Sequence, residues 1–524
     1  MRGIQVPEGT ARLLTYLGYA GIIGAIAAAT ANIDPFNSDT LANFIAITNI
    51  EPAGTLYAVA HTNALKTPLY LAALALFGYS QNAVAFVDFV STVGFSALIA
   101  GCVLIWTKTH ARPHLTLLPF AYLAGLSPLF ILLTTHPGLR NLDIGVSFVW
   151  LALALRGALR LRYRLLAIPL GALLTLNDPW FVTTFAVPAV AAALLVRQMP
   201  AHPGSRRGWL LALILVIAGV GLGFGLRSLI DATGIVRLVG GEQDLRIVAI
   251  DRMGFNLRLA AEVLLRFVNA WVFGPPPSAG AVLNAVMNIA LCAAGAAGLL
   301  AGMRSRDDAV RRLSAFTLLA AALGLGVFAI TNAPTDVWSG RYLVFAPIAL
   351  ALGLAIGLSQ WQAQRQTLHW GVLGLLAVGV IAHALAIGDT MTQLRNPARL
   401  ANQRRIFEAL AGSGLAYGYS DYWNSLNNTF MSAQTLPVRT VYCEAGRIKP
   451  RAWWSQSRWY APNPEHRPSF VLFNLTEPTD LDACQGDKLV QQFGPATRLS
   501  IDRGKQRIAE VLIWDYDIAS RFAP

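Results

Sequence analysis

Charge is scarce in this sequence, and acid is scarcer than base. Charged residues fill 13% of 524 positions, with 28 Asp and Glu against 41 Lys and Arg. An ordinary soluble domain carries about 25%. Hydrophobic residues reach 55%, and the mean hydropathy is +0.50. These figures exclude an ordinary soluble chain and indicate a polytopic membrane protein. Cysteine is scarce too, at four residues. Cys102 and Cys292 lie in apolar runs and read as packing residues. Cys443 and Cys484 lie in a polar C-terminal region, where a bridge depends on that region being extracytoplasmic. No Cys-x-x-Cys or His-rich spacing points to a metal site. Nor is there a Gly-x-Gly-x-x-Gly, a P-loop or a Gly-x-Ser-x-Gly elbow, so the usual nucleotide and hydrolase signatures are missing. The net charge of +13 gathers at the borders of apolar runs, which fits anionic lipid and not nucleic acid.

What the sequence has in quantity is long apolar runs. Runs fit to span occur near 12–31, 83–106, 115–135, 144–159, 209–230, 279–303, 313–332, 343–359 and 369–388. Two shorter pieces within 165–196 are separated by Asn177-Asp178-Pro179-Trp180 and read as two more spans, giving about eleven. The first run is too long for a cleaved signal and reads as a retained anchor. Leu69 to Phe77 is too short to cross and reads as an interfacial helix. Phe255 to Val272 reads as an amphipathic interfacial helix, with Arg258, Glu262 and Arg266 opposite its apolar face.

Arginine marks one side of the membrane. Arg156, Arg160, Arg162 and Arg164 fill one short connection, and Arg304, Arg306, Arg311 and Arg312 fill another. The alternate short connections carry little positive charge; the exception is the longer loop 231–275, with Arg237, Arg246, Arg252, Arg258 and Arg266, and longer loops tolerate charge. The positive-inside rule then puts the N-terminus in the cytoplasm and everything after residue 388 outside. The expected organisation is a transmembrane module over 1–389, with outer loops 32–82 and 231–275, followed by a soluble α/β domain over 390–524. Strand-like runs Pro437–Tyr442, Phe470–Phe473 and Ile508–Trp514 alternate there with helix-like Arg399–Leu410 and Tyr422–Phe430. Its many aromatics, Tyr422, Trp423, Trp453 and Trp454 among them, suit a sugar-stacking platform, a core or an interfacial belt.

Chemistry concentrates in the stretch after the first run, Asp34 to Gly78. It holds Asp34, Asp39 and Glu51, with His61 and Lys66. A carboxylate can take a proton from a hydroxyl, and a Lys can hold a phosphate; a plain connecting loop would also carry charges. On the same assigned side lie His136, Arg140, Asn141 and Asp143, then Asn177 and Asp178, then Asn332, Asp336, Arg341 and Tyr342. Polar groups beside spans need a reason, because lipid burial is costly. Asp143 also suits a helix N-terminus, and Arg341 a helix-end anchor.

These stretches resemble the membrane-embedded GT-C glycosyltransferases, in particular the protein mannosyltransferase and lipid A aminoarabinose transferase group. Asp39-Thr40 stands where that group has an Asp-Glu pair. Lys66-Thr67-Pro68-Leu69 stands at its Lys-Pro-Pro-Leu run, and Leu76-Phe77-Gly78 at its Phe-Gly ending. Arg140-Asn141-Leu142-Asp143 and Gly340-Arg341-Tyr342-Leu343 resemble two further segments. Thr40 replaces the second acid, which weakens a metal role carried over for this loop. The resemblance implies an inverting transferase in the bacterial inner membrane, using a polyprenyl-phosphate sugar donor. Its acceptor would be an extracytoplasmic glycan, lipid or protein of the envelope. Asp39, then Asp34, would serve as base. Lys66, Arg341 and Tyr342 would hold the donor phosphate, with His61, Arg140, Asp143 and Asp178 in support. A divalent ion is compatible with such chemistry, but no ligand set is written in the sequence. The competing class is a transporter or flippase of a polyprenyl-linked or anionic lipid, which should show charges deep in spans or paired broken helices.

Overall fold

The computed structural model describes residues 7–31, 33–34, 37–49, 54–59, 62–135, 140–156, 159–198, 206–239, 246–273, 278–477, 479–485 and 487–522. Its contacts divide the chain into two compact units. One comprises residues 1–33, 88–226 and 242–394; the other comprises 34–87, 227–241 and 395–524.

The first unit is helical. Among the described residues, seven helices of the chain are long and apolar enough to cross a membrane: Glu8–Thr30, Gln81–Thr107, Trp209–Ala232, Ala279–Met303, Asp308–Ile330, Phe345–Gln362 and the helix Gln366–Leu394. The run expected as one span over 115–135 is two helices, His114–Ala124 and Pro128–Thr135, bent by 96°. Pro128 supplies the reason, since proline disfavours helix at the residue before it and cannot donate a backbone N–H. Shorter apolar helices cover Asn141–Leu155 and Ala167–Asn177. After the Asp178-Pro179 break a π-turn, Val182–Ala186, leads into the helix Val187–Gln198. The bundle closes tightly where glycines meet. A Cβ on Gly298 would collide with the Gly353 carbonyl oxygen, so only glycine lets Ala279–Met303 approach Phe345–Gln364 this closely. The amphipathic helix forms as Ile250–Phe267, ending where Asn269 turns to φ +51°.

The second unit carries two sheets. The larger holds six strands: β3 (Tyr417–Ser420), β4 (Val438–Glu444), β5 (Arg447–Pro450), β7 (Ser469–Asn474), β8 (Thr497–Arg503) and β9 (Gln506–Trp514), in the order β5-β4-β3-β7-β9-β8. Three of these match the strand-like runs of the sequence. The β7 strand is buried on both faces. Phe470 and Leu472 face Ile406 and Leu410 of the helix Pro397–Ala411, while Val471 and Phe473 pack with Leu489 and Phe493. Alternation by two therefore fills two layers, as in an α/β fold. Cys443 and Cys484 are bridged across a separation of 41 residues.

The smaller sheet joins β1 (Leu56–Val59), β2 (Val236–Val239) and β6 (Ser455–Gln456); β1 runs parallel to β2 and antiparallel to β6. The helix Thr67–Phe77 forms where a short interfacial helix was expected. It buries Tyr70 and Ala73 and exposes Leu71, Leu76 and Phe77.

Candidate functional site

Asn37 starts the helix Ser38–Thr48. Its side-chain oxygen accepts the Asp39 backbone N–H at 3.1 Å, the cap expected of Asn. Asp39 therefore sits in the first turn, where the helix dipole favours an ionised carboxylate. Its Oδ1 accepts a hydrogen bond from the Tyr422 hydroxyl at 3.0 Å. Asn43, one turn on, donates to the Asp39 carbonyl at 2.8 Å and meets the Tyr70 hydroxyl at 3.4 Å. Asn63 donates to the Asn43 side-chain oxygen. Behind this polar cluster, the Phe44 ring packs edge-on against Tyr70 at 4.7 Å and against Phe430 at 5.4 Å.

Asp34 has a different setting. Arg399 donates to its Oδ2 at 3.1 Å and bonds Glu477 at 3.0 Å. Both members of the Asp34 pair are largely buried. That pairing ties the Asp34 carboxylate to the helix Pro397–Ala411. Lys66 is 1% exposed at the head of Thr67–Phe77, so it is no surface charge. His61, Glu51 and His136 lie outside the described residues.

The helical unit holds the basic candidates. Arg140 precedes Asn141–Leu155 and pairs through Nε with the Asp178 carboxylate. Its guanidinium lies 5.0 Å from the Trp180 ring centre and 5.9 Å from that of Tyr342. Burial works against the Arg140 charge, but Asp178, Tyr342 and Asp143 outweigh it and hold the group above its ordinary pKa. Arg341 reaches the Tyr342 hydroxyl at 3.3 Å and lies over its ring at 5.1 Å. Asp143 is buried in the first turn of its helix. Asp336 caps the short helix Val337–Tyr342 that presents Arg341, accepting from the Trp338 and Ser339 amides at 2.9 and 3.2 Å.

These groups border a cleft lined by Leu133, Thr134, Arg140, Asn141, Arg341 and Val344. A second, apolar cleft is lined by Tyr19, Ile23, Phe95, Ile99, Phe120 and Phe130. Thr134 lines both. A basic cleft and an apolar cleft thus adjoin at Thr134, near the end of the helix Pro128–Thr135. Among the described residues, no group of three His, Cys, Asp or Glu is arranged to hold a metal ion.

Sequence reading brought Arg140, Asp178, Arg341 and Tyr342 forward, and the helical unit gathers them. It missed Trp180 as a partner of Arg140. It placed Tyr422 only among the aromatics, not beside Asp39. A signal for the latter was present. The helix Tyr422–Met431 is rich in Asn, Ser and Thr, yet Asn424, Ser425, Asn427, Asn428 and Thr429 are all buried. A helix so polar and so buried implies a structured polar interior.

No protein-family model matches the sequence, and no curated protein matches it. Solved structures do. ArnT from Cupriavidus metallidurans in the apo state aligns with a TM-score of 0.59 at 12% identity, covering 97% of this chain and 99% of that one. The same protein bound to undecaprenyl phosphate aligns with a TM-score of 0.55 at 12% identity, with the same coverage. Identity this low speaks to the fold, and the alignment runs nearly end to end. The chain is an integral membrane protein with the fold of ArnT from Cupriavidus metallidurans.

Proposed function

We propose that this protein transfers a sugar, with inversion, from a polyprenyl-phosphate donor to an extracytoplasmic acceptor. The observation that carries the reading is the basic cleft of Arg140 and Arg341, which adjoins an apolar cleft at Thr134. A lipid phosphate has that chemistry: a charged head and a hydrocarbon tail. The structural neighbour bound to undecaprenyl phosphate supports the same ligand class.

In this reading Asp39 accepts the proton of the acceptor hydroxyl. The acceptor oxygen bonds the anomeric carbon as the carbon–oxygen bond to phosphate breaks, and the polyprenyl phosphate leaves with the electron pair. Arg341, Tyr342 and Lys66 stabilise that phosphate, and Arg140 with Asp143 and Asp178 supports the cleft. Removing one charge-stabilising group costs on the order of a hundredfold in rate. The acceptor is an envelope glycan, lipid or protein. The arginine asymmetry supports a cytoplasmic N-terminus, a membrane module over 1–389 and an outer, periplasmic domain over 390–524. A lipid transporter would call for paired broken helices; among the described residues one bent pair is found.

The test uses purified protein, a set of undecaprenyl-phosphate sugars and an envelope extract as acceptor. Wild-type protein should release undecaprenyl phosphate from at least one donor, and Asp39→Asn should not. Binding of undecaprenyl phosphate without release from any donor would contradict the reading.

A further inference from the structure

A base needs to be held in place, and the group that holds Asp39 comes from 383 residues away. Tyr422 opens a helix that Asp421 caps, with Asp421 accepting the Trp423 and Asn424 amides at 2.9 and 3.2 Å. The Tyr422 ring is buried, set edge-on against Trp423 at 5.4 Å and against Trp453 at 6.0 Å. Its hydroxyl ends on a carboxylate that is itself only half-buried. The two helices are pinned again one residue away, where the Ser38 hydroxyl donates to the Trp423 carbonyl at 3.0 Å.

Packing alone would satisfy a buried tyrosine hydroxyl with any acceptor, commonly a backbone carbonyl. Here the acceptor is the candidate base. Burial first, and the nearby Asp39 charge second, raise the Tyr422 phenol well above its ordinary range. The phenol therefore keeps its proton at any physiological pH and serves as a donor.

We propose that Tyr422 is a positioning residue for Asp39: its phenol fixes Oδ1 and stabilises the ionised carboxylate that takes the acceptor's proton. The proposal rests on the reading of Asp39 as the transfer base. It gives the C-terminal segment a part in the chemistry, because removing Tyr422 loosens the base without touching any phosphate-holding group.

Among the described residues, the charged and titratable groups on the elements packed around Asp39 include Lys66 and Tyr70 at the head of Thr67–Phe77, and Asp421 before the Tyr422 helix. Arg451 opposes the rise at Tyr422. The variants below leave all four in place.

The experiment needs no knowledge of the sugar. A carbodiimide attacks a protonated carboxyl, so its rate at Asp39, followed by peptide mass spectrometry, traces that group's titration. A hydrogen bond to the ionised form lowers a carboxyl pKa. Tyr422→Phe should move the Asp39 midpoint up by about one unit, which makes modification about tenfold faster at a fixed pH above it. Ser38→Ala removes the neighbouring helix–helix bond but not the donor, and should leave the midpoint in place. Difluorotyrosine in place of Tyr422 keeps the ring, strengthens the donor and should lower the midpoint; it decides the matter if Tyr422→Phe does not fold. An unmoved midpoint in Tyr422→Phe and with difluorotyrosine, or an equal shift in Ser38→Ala, overturns the proposal. Undecaprenyl phosphate binding is measured on the same preparations. Its absence in wild-type protein would sink the transferase reading while leaving the Asp39–Tyr422 result standing.

Discussion

The helical unit and the sheet-bearing unit treat their acids differently. In the helical unit, Asp178 is paired to Arg140, and the guanidinium is further framed by Trp180 and Tyr342. In the sheet-bearing unit, Asp34 is likewise paired to Arg399, but Asp39 takes a hydrogen bond from a neutral phenol. A cation holds a carboxylate ionised and tied down. A phenol orients it through a neutral donor. The Tyr422 hydrogen bond is thus a feature that sets the proposed base Asp39 beside a phenol, which residue type alone does not reveal.

The sharpest way to break this comparison is to neutralise each acid in turn. Asp39→Asn should lower turnover by about a thousandfold, within the range of lost general-base catalysis, and leave undecaprenyl phosphate binding unchanged. Initial rates and equilibrium binding on one preparation check both halves. Arg341→Ala should act the other way, weakening undecaprenyl phosphate binding by about tenfold, the scale of one charge-assisted hydrogen bond. Native mass spectrometry or thermal shift with the lipid measures it, and unchanged affinity would remove Arg341 from the cleft's work. Asp34→Asn should have the smallest effect. Arg399 keeps Glu477 at 3.0 Å, so turnover should fall less than about threefold and stability by about 1 kcal/mol or less. If Asp34→Asn silenced the enzyme and Asp39→Asn did not, the comparison would be inverted.

Much of the fold was legible because its signals are local. Unbroken apolar runs such as 279–303 are long enough to declare a span, and Val438–Glu444 and Gln506–Trp514 have the length and composition of strands. The bend at Pro128 had its signal in the proline, but the surrounding hydropathy reads as one continuous run. The strand Leu56–Val59 was not legible. It finds its partners in Val236–Val239 and Ser455–Gln456, and a run of four residues carries no signal for partners so distant in the chain. The same limit governs the site. Asp39, Lys66, Arg140 and Arg341 could be singled out as charges beside apolar runs, where charge needs a reason. That Arg399 reaches Asp34 and Tyr422 reaches Asp39 is not written locally, because each partner lies more than 360 residues from its acid. Distance along the chain hides such pairs from any reading by spacing.

The central claim is that the basic cleft and the apolar cleft meeting at Thr134 hold a polyprenyl phosphate. An electron cryomicroscopy map of the full chain with undecaprenyl phosphate tests it most directly. The account predicts density for the phosphate within hydrogen-bonding reach of Arg341, with the first isoprene units running past Thr134 toward Phe130, Phe95 and Ile23. A well-ordered lipid whose phosphate lies elsewhere, with both clefts empty, would contradict it.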